Sequence, residues 1–152
     1  MSKRINPIEA VIFDVDGTLA DCDHRRHFVT GKKKDFDAFY NAMASDTVKE
    51  DIRGLCNMYH MSGWHIIICT GRPECYRSIT EAWLKKYGIF YHELKMRPDN
   101  KRHHPDFEIK EEILKDILKE RDVIIAVDDR NQVVDMWRRN NITCFQVAEG
   151  NF

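Results

Sequence analysis

The chain has 152 residues, 43% of them hydrophobic, with 24 Lys+Arg against 25 Asp+Glu and a formal net charge of -1 at pH 7. This length suits one domain, and the apolar fraction can bury a core, which excludes an intrinsically disordered protein. The balanced charge excludes a histone-like protein that binds DNA through a global positive field. No apolar run approaches the roughly 20 residues of a membrane span, and the first residues do not resemble a signal peptide. The five cysteines form no CxxC pair, as is typical of reduced thiols, so we expect a cytoplasmic protein with no membrane association.

Apolar runs rich in β-branched residues alternate along the chain with segments of helical periodicity. Strands are predicted at 8–14, 64–69 and 123–127, with weaker ones near 91–95 and 142–147, and helices at 35–44, 48–62, 75–87, 108–120 and 131–140. This alternation predicts an α/β protein with a Rossmann-like central parallel sheet flanked by helices. Residues 20–47 fall outside the rhythm. We predict that they form a small cap over the active-site end of a single domain, 1–152.

Two pairs of aspartates follow predicted strands. Asp14 and Asp16 end the first strand, with Gly17 permitting a tight exit, and Asp128 and Asp129 follow the run VIIAV. In open parallel sheets, ligands bind at the carboxyl ends of the strands, so neighbouring strands would bring these carboxylates together. Such a cluster requires a proton or a hard cation, and Mg²⁺ favours carboxylates, water and phosphate oxygens. The alternative is that these acidic residues only end strands and begin helices and have no part in chemistry. This alternative could account for one such pair, but it is a poor explanation of two.

Two further segments fit a phosphate site. The run Thr70-Gly71-Arg72-Pro73 offers a hydroxyl, exposed amides and a guanidinium, although alone it equally suits a helix N-cap with proline at the first position. Lys110, on the predicted helix 108–120, would alone be interpreted as a solvated lysine.

The order of these motifs resembles that of the haloacid dehalogenase superfamily: DxDGT, then Thr-Gly-Arg after a strand, then a lysine, then Asp-Asp after a strand, over residues 14–129. A receiver domain uses similar residues in a different order. The closing run VDDRNQVVDMWRRNNITCFQVAEGNF is more particular and resembles the phosphatase half of phage-type polynucleotide kinase/phosphatases. No GxxxxGK[ST] motif occurs, since GKKK at 31–34 lacks the upstream glycine and the hydroxyl residue, so we expect no kinase domain.

The resemblance implies a phosphatase that forms an aspartyl-phosphate. Asp14 would be the nucleophile and Asp16 the general acid and base. Asp14, the carbonyl of Asp16, Asp128 and Asp129 would bind Mg²⁺, with Asp129 slightly preferred over Asp128 as a ligand. Thr70, Gly71 and Lys110 would bind the phosphoryl group. Arg25 and Arg72 match functional arginines of the family, and Asp106 would orient Lys110.

The resemblance favours 3′-phosphate ends of DNA or RNA as the substrate, and separate kinase or ligase proteins as partners. A small substrate such as a mononucleotide or sugar phosphate, and a non-catalytic docking domain, are the alternatives. The short insertion at 20–47 favours a polymer, because a small cap leaves a cleft open to a chain end.

Three weaker signals have alternative interpretations. The basic run 95–104 is either a solvated loop or a guide for a nucleic-acid backbone. His24 and His27 form an HxxH pair without a third ligand, which favours solvated cap residues over a metal site. Trp64, Trp83 and Trp137 are expected in the core rather than as base-stacking platforms.

Overall fold

A five-stranded parallel sheet forms the centre of the fold. The computed structural model describes residues 8–152. The strands of the large sheet and of a small two-stranded sheet, β2-β3, are, in chain order, β1 (Ile8–Phe13), β2 (Ala20–Asp21), β3 (Thr47–Val48), β4 (His65–Pro73), β5 (Glu93–Arg97), β6 (Arg121–Asp128) and β7 (Thr143–Gln146). The large sheet has the order β5-β4-β1-β6-β7 with every pair parallel, which confirms the predicted α/β class. Because β1 lies in the middle between β4 and β6, the residues that follow these three strands meet at one edge.

Helices cover both faces of this sheet. They are α1 (Phe36–Asn41), α2 (Glu50–Met61), α3 (Arg77–Lys86), α4 (Asp106–Ile117) and α5 (Asn131–Arg139). Alternate residues of β1 point to opposite faces, so Val11 and Phe13 pack with α2 and α3, while Ala10 and Ile12 pack with α4 and α5. Two apolar layers therefore hold the central strand and fix the position of its carboxyl end.

The predicted tryptophan positions are confirmed. Trp83 and Trp137 are 2% and 0% exposed, one in each layer, and Trp64 is partly buried against the first layer. Indole burial on this scale supplies packing and leaves little ring surface for stacking on a nucleobase.

The largest difference from the predicted boundaries lies in β4. The predicted strand ended at residue 69, with Thr70-Gly71-Arg72-Pro73 directly after it, but β4 continues to Pro73. A 3₁₀ turn over Glu74–Tyr76 then precedes α3. Pairing with β5 is interrupted by an irregularity after Cys69 and resumes where Pro73 faces Arg97, which extends the strand beyond the apolar run. The alternative interpretation of Thr70-Gly71-Arg72-Pro73 as a helix N-cap is therefore wrong, because α3 begins only at Arg77.

The insertion after β1 forms the predicted small cap. Its ends are joined by antiparallel pairing of β2 with β3, and between them lie 3₁₀ turns at Asp23–Phe28 and Met43–Ser45 and the short helix α1. Met43 is fully buried and contacts Thr80 of α3 through its sulfur. The cap therefore packs on the same edge of the sheet as the aspartate pairs.

Within residues 8–152, no helix combines the length and the apolar character that crossing a bilayer requires.

Candidate active site

Three carboxylates converge where β1 and β6 end. One oxygen from each of Asp14, Asp128 and Asp129 lies within 4.8 Å of the others, and all three residues are buried. The neighbouring strands hold them in place: the Asp14 amide donates to the carbonyl of Val127 at 3.0 Å. Of the four aspartates that the sequence singled out, Asp14 is thus brought together with Asp128 and Asp129, whereas Asp16 lies outside this cluster.

Lys110 reaches this cluster from α4. Its Nζ donates to Asp14 Oδ1 at 2.8 Å and to Asp128 Oδ2 at 3.0 Å, and it lies 3.6 Å from Asp106 Oδ2. Because α4 begins at Asp106, Lys110 stands one turn into the helix and points inward, with 1% exposure. The interpretation as a solvated surface lysine is wrong.

The charges of the cluster are not balanced. Burial, followed by repulsion from Asp128, raises the pKa of Asp14 well above its usual range, and the same two causes raise the pKa of Asp129 to about 6. Burial alone would lower the pKa of Lys110, but attraction to Asp106, Asp128 and Asp14 outweighs it and raises that pKa. Lys110, together with Arg26 at 3.8 Å from Asp129 Oδ2, therefore supplies two positive charges to three buried carboxylates, and the cluster favours an additional cation.

The oxygen available to such a cation belongs to Asp129. Both oxygens of Asp128 accept hydrogen bonds, from Lys110 and the Trp137 indole on one side and from the Asp129 amide on the other. In contrast, Asp129 Oδ2 is buried without a hydrogen-bond partner among the described residues. A buried carboxylate oxygen without a hydrogen bond, beside two further carboxylates, fits a hard divalent cation such as Mg²⁺.

Gly17 makes room for this carboxylate. Its φ is +80°, and a Cβ at this position would overlap with the side chain of Asp129. The tight turn is closed by hydrogen bonds from Gly17 N to Ala20 O (2.9 Å) and from Ala20 N to Val15 O (2.8 Å). The turn after β1 thus presents backbone rather than a side chain to the carboxylate cluster. Thr18, which the sequence analysis did not single out although it belongs to DxDGT, donates to Asp14 Oδ2 at 3.0 Å.

Asp16 is held by two arginines. Arg72 Nη2 donates to its Oδ1 at 2.7 Å and Arg25 Nη2 to the same oxygen at 2.5 Å, and both arginine side chains are fully buried. Burial alone would raise the pKa of Asp16, but the two guanidinium groups outweigh it and hold that pKa well below its usual range. Arg25 comes from the cap and Arg72 from β4, so Asp16 links the two parts of the molecule.

Asp46, in the cap, is a residue that the sequence analysis missed. Its fully buried carboxylate accepts from Arg25 Nε (2.8 Å) and Nη2 (2.7 Å), from Arg72 Nη2 (3.3 Å), and contacts His24 Nε2 (2.7 Å). Asp16 and Asp46 therefore share the same two guanidinium groups. No local sequence motif marks Asp46, which lies between the 3₁₀ turn that ends at Ser45 and β3, which begins at Thr47.

The remaining predicted residues lie beside this network. Thr70 is buried and its Oγ1 accepts from the Arg72 amide at 3.2 Å. A Cβ at Gly71 would overlap with the carboxylate of Asp106, so this glycine allows α4 to approach β4. Asp106 lies 3.4 Å from Arg97 Nη2 and 3.6 Å from Lys110 Nζ, which places it between the basic run and the cluster.

The weaker sequence signals lead elsewhere. Within the basic run, Arg97 is buried and donates to the carbonyls of Gly71, Lys101 and His104, so it holds the backbone rather than facing a ligand. Lys101 pairs with Glu112 at 2.6 Å, and Arg102 is exposed. In the HxxH pair, His24 contacts Asp46 and the ring of His27 packs on Phe28 at 4.0 Å.

Comparison with known proteins places this geometry in a family. A model of the polynucleotide kinase PNKP phosphatase domain matches residues 8–152. A chain in the structure of the Pnkp1/Rnl/Hen1 RNA repair complex is 36% identical, with a TM-score of 0.83 over 96% of this chain and 44% of that one. A chain in a second Pnkp1/Rnl/Hen1 structure is 38% identical, with a TM-score of 0.80 over 97% and 47%. This chain thus spans less than half the length of those two.

A more distant similarity shows the fold alone. The class C acid phosphatase from Bacillus anthracis with tungstate bound is 16% identical, with a TM-score of 0.67 over 86% of this chain and 55% of that one. The resemblance to the haloacid dehalogenase superfamily is confirmed, and the chain belongs to the family of polynucleotide kinase PNKP phosphatase domains.

Proposed function

We propose that this chain hydrolyses 3′-phosphate ends of nucleic acids with Mg²⁺ and through an aspartyl-phosphate on Asp14. The carboxylate of Asp14 carries the chemistry, because it stands at the end of the central strand, accepts a hydrogen bond from Lys110 and belongs to the same cluster as Asp129, whose Oδ2 has no hydrogen bond. The family match over residues 8–152 supports the substrate class, and the RNA repair complex from which the two similar chains come supports ends formed during repair.

Each residue of the network has a part in this reaction. Asp14 attacks phosphorus and displaces the 3′-oxygen of the nucleoside, while Lys110 and Thr70 hold the phosphoryl oxygens. Asp14, Asp129 and the carbonyl of Asp16 would hold Mg²⁺, which offsets the charge of the phosphate and of the carboxylates when bound. Asp128 holds Lys110, through the bond of 3.0 Å between Oδ2 and Nζ.

The role of Asp16 depends on its two arginines. In the free protein Arg25 and Arg72 keep it deprotonated, which suits the base that activates the water attacking the aspartyl-phosphate. A bound phosphate group attracts the same guanidinium groups, which raises the pKa of Asp16 toward the range of a proton donor. Asp16 then protonates the leaving 3′-oxygen in the first step and takes a proton from water in the second.

The test of the nucleophile combines kinetics with trapping. Asp14→Asn keeps the shape but removes the attacking charge, so turnover of a 3′-phosphorylated oligonucleotide should fall at least about a thousandfold. Borohydride added during turnover of the wild type should reduce an acyl phosphate at Asp14, seen as a mass change in the peptide that contains it. The exposed Asp135→Asn on α5 is the matched control, with unchanged turnover. Full activity of folded Asp14→Asn protein would overturn the covalent mechanism.

The test of the substrate class compares 3′-phosphorylated RNA and DNA oligonucleotides with 3′-mononucleotides and an aryl phosphate. We expect the oligonucleotides to have the highest kcat/KM. Equal kcat/KM on mononucleotides and oligonucleotides would instead identify a phosphatase of small substrates.

A further inference from the structure

A cavity adjoins the carboxylate cluster on the side of the cap. Its volume is about 370 Å³, and Gly17, Cys22, Arg26, Lys49, Glu149 and Phe152 are among the residues that line it. Gly17 is the residue whose missing side chain makes room for Asp129, and Arg26 Nη2 lies 3.8 Å from Asp129 Oδ2. The cavity is therefore within the reach of one nucleotide from the reacting phosphate, and its volume lies in the ~300–1,000 Å³ range of small-molecule sites.

One wall of the cavity is an aromatic ring beside guanidinium groups. The guanidinium carbon of Arg26 lies 4.6 Å from the centroid of the Phe152 ring, and that of Arg130 lies 5.3 Å from it. Phe152 is nevertheless 51% exposed. A half-exposed ring paired with a guanidinium is a surface on which nucleobases stack.

The segment that carries Phe152 is anchored to the active-site edge. Val147 N donates to the Asp128 carbonyl at 3.1 Å, Asn131 N donates to the Gly150 carbonyl at 2.9 Å, and Arg130 Nε donates to the Phe152 carbonyl at 2.8 Å. A Cβ at Gly150 would overlap with the backbone of Asp129. The closing motif QVA-x-G-x-F thus holds Phe152 beside the carboxylate cluster.

The charge of the lining distinguishes among ligands. Three acidic residues, Asp21, Asp23 and Glu149, line the cavity with two basic ones, Arg26 and Lys49. Arg26 Nε already donates to Asp23 at 2.9 Å, and Lys49 Nζ donates to the Gly17 carbonyl at 3.1 Å. A lining with this excess of carboxylates disfavours a second phosphate and admits a neutral aromatic group.

We propose that this cavity binds the nucleobase of the nucleotide whose 3′-phosphate reacts at Asp14, by stacking on the paired Phe152 and Arg26 side chains. The inference rests on the proposed function and adds a base-binding subsite to it. Stacking requires a π-face and no particular hydrogen-bond pattern, so the subsite accepts any of the bases.

The experiment uses two oligonucleotides of one sequence, each with a 3′-phosphate, of which one ends in an ordinary nucleotide and the other in an abasic sugar. For the wild type, we expect the KM of the abasic substrate to be about tenfold higher, the loss expected for one stacked base. Phe152→Ala should raise the KM of the ordinary substrate by a similar factor and leave that of the abasic substrate unchanged. In both cases kcat should stay within twofold, and Phe152→Trp should retain the low KM.

Phe90→Ala is the matched control. Phe90 is similarly exposed, at 47%, but it lies just before β5, the outer strand on the side of the sheet opposite to β7. It should leave both KM values unchanged. Equal effects of Phe152→Ala on the two substrates, or none on either, would overturn the base subsite while leaving 3′-phosphatase activity intact. Failure of the wild type to hydrolyse either oligonucleotide, with turnover of an aryl phosphate, would instead overturn the proposed substrate class.

Discussion

At the scale of single residues, the arginines of the site depend on a second buried carboxylate. Arg25 and Arg72 carry two positive charges in a region where both side chains are fully buried, and Asp16 alone does not balance them. Asp46 supplies the other negative charge, and its backbone carbonyl also accepts from the Trp83 indole at 2.9 Å. Asp46 therefore positions the arginines for Asp16 and at the same time joins the cap to α3.

Replacing Asp46 tests this dual role. Asp46→Asn keeps the size but places an amide against guanidinium groups, and breaking a buried ion pair costs about 3–5 kcal/mol. We expect the free energy of unfolding in urea to fall by about 3 kcal/mol, and kcat on a 3′-phosphate end to fall more than kcat on an aryl phosphate, which needs less protonation of its leaving group.

The matched control for Asp46 is Asp37→Asn, also in the cap. The side chain of Asp37 is 79% exposed, and its nearest cation is Arg102 at 3.7 Å. An exposed pair contributes about 0–1 kcal/mol, so stability and kcat should stay close to those of the wild type. If Asp46→Asn lost stability but affected both substrates equally, Asp46 would be a structural residue without influence on Asp16.

At the scale of the elements, the turn after β1 leaves room for the carboxylate that follows β6. Gly17 and Gly31 both have positive φ, +80° and +89°, so an alanine at either position is strained by about 1–2 kcal/mol. They differ in their surroundings, since a Cβ at Gly17 would overlap with Asp129 while a Cβ at Gly31 has nothing within 4 Å.

This pair of glycines separates strain from steric conflict. Gly31→Ala should lower the free energy of unfolding by about 1–2 kcal/mol and leave activity unchanged. Gly17→Ala should lower it by a further ~1–3 kcal/mol through overpacking, and should raise the Mg²⁺ concentration needed for half-maximal activity, because Asp129 is displaced. Equal Mg²⁺ requirements in the two variants, measured by titration of phosphatase activity, would contradict a role for Gly17 in placing Asp129.

The elements also show which parts of the site a sequence can predict. Strands β1 and β6 each carry an apolar run that leads to Asp14 and to Asp128, so the sequence could predict the strands and the carboxylate cluster on the condition that the two strands are neighbours. Asp46 and Arg97 could not be found in this way, because their importance arises from contacts across 21 and 26 positions of the chain, to Arg25 and Gly71. The predicted end of β4 was wrong for a related reason, because pairing with β5, rather than the strand propensity of the local residues, extends this strand to Pro73.

At the scale of the whole molecule, folding brings together carboxylates that repel one another. The apolar layers on both faces of the sheet fix β1 beside β6, and this burial together with Asp128 raises the pKa of Asp129 to about 6. A protein without a bound cation is therefore less stable than its packing alone would make it. A cation that binds the folded chain offsets the repulsion, and at a hundredfold excess over Kd it stabilises by about 2.7 kcal/mol.

Thermal unfolding with and without Mg²⁺ measures this coupling. For a chain of this length, saturating Mg²⁺ should raise the wild-type Tm by about 5–10 °C over that in a chelator. Asp129→Asn removes one of the repelling charges, so it should raise the Tm in chelator and abolish the response to Mg²⁺. Asp128→Asn should instead lower the Tm in chelator, because the carboxylate that holds Lys110 and the Trp137 indole loses its charge.

The exposed Asp135→Asn is the control for these variants and should behave as the wild type in both conditions. A Mg²⁺ response that survives in Asp129→Asn would place the cation at another group of ligands, and a lower Tm of this variant in chelator would show that Asp129 stabilises the fold rather than opposing it.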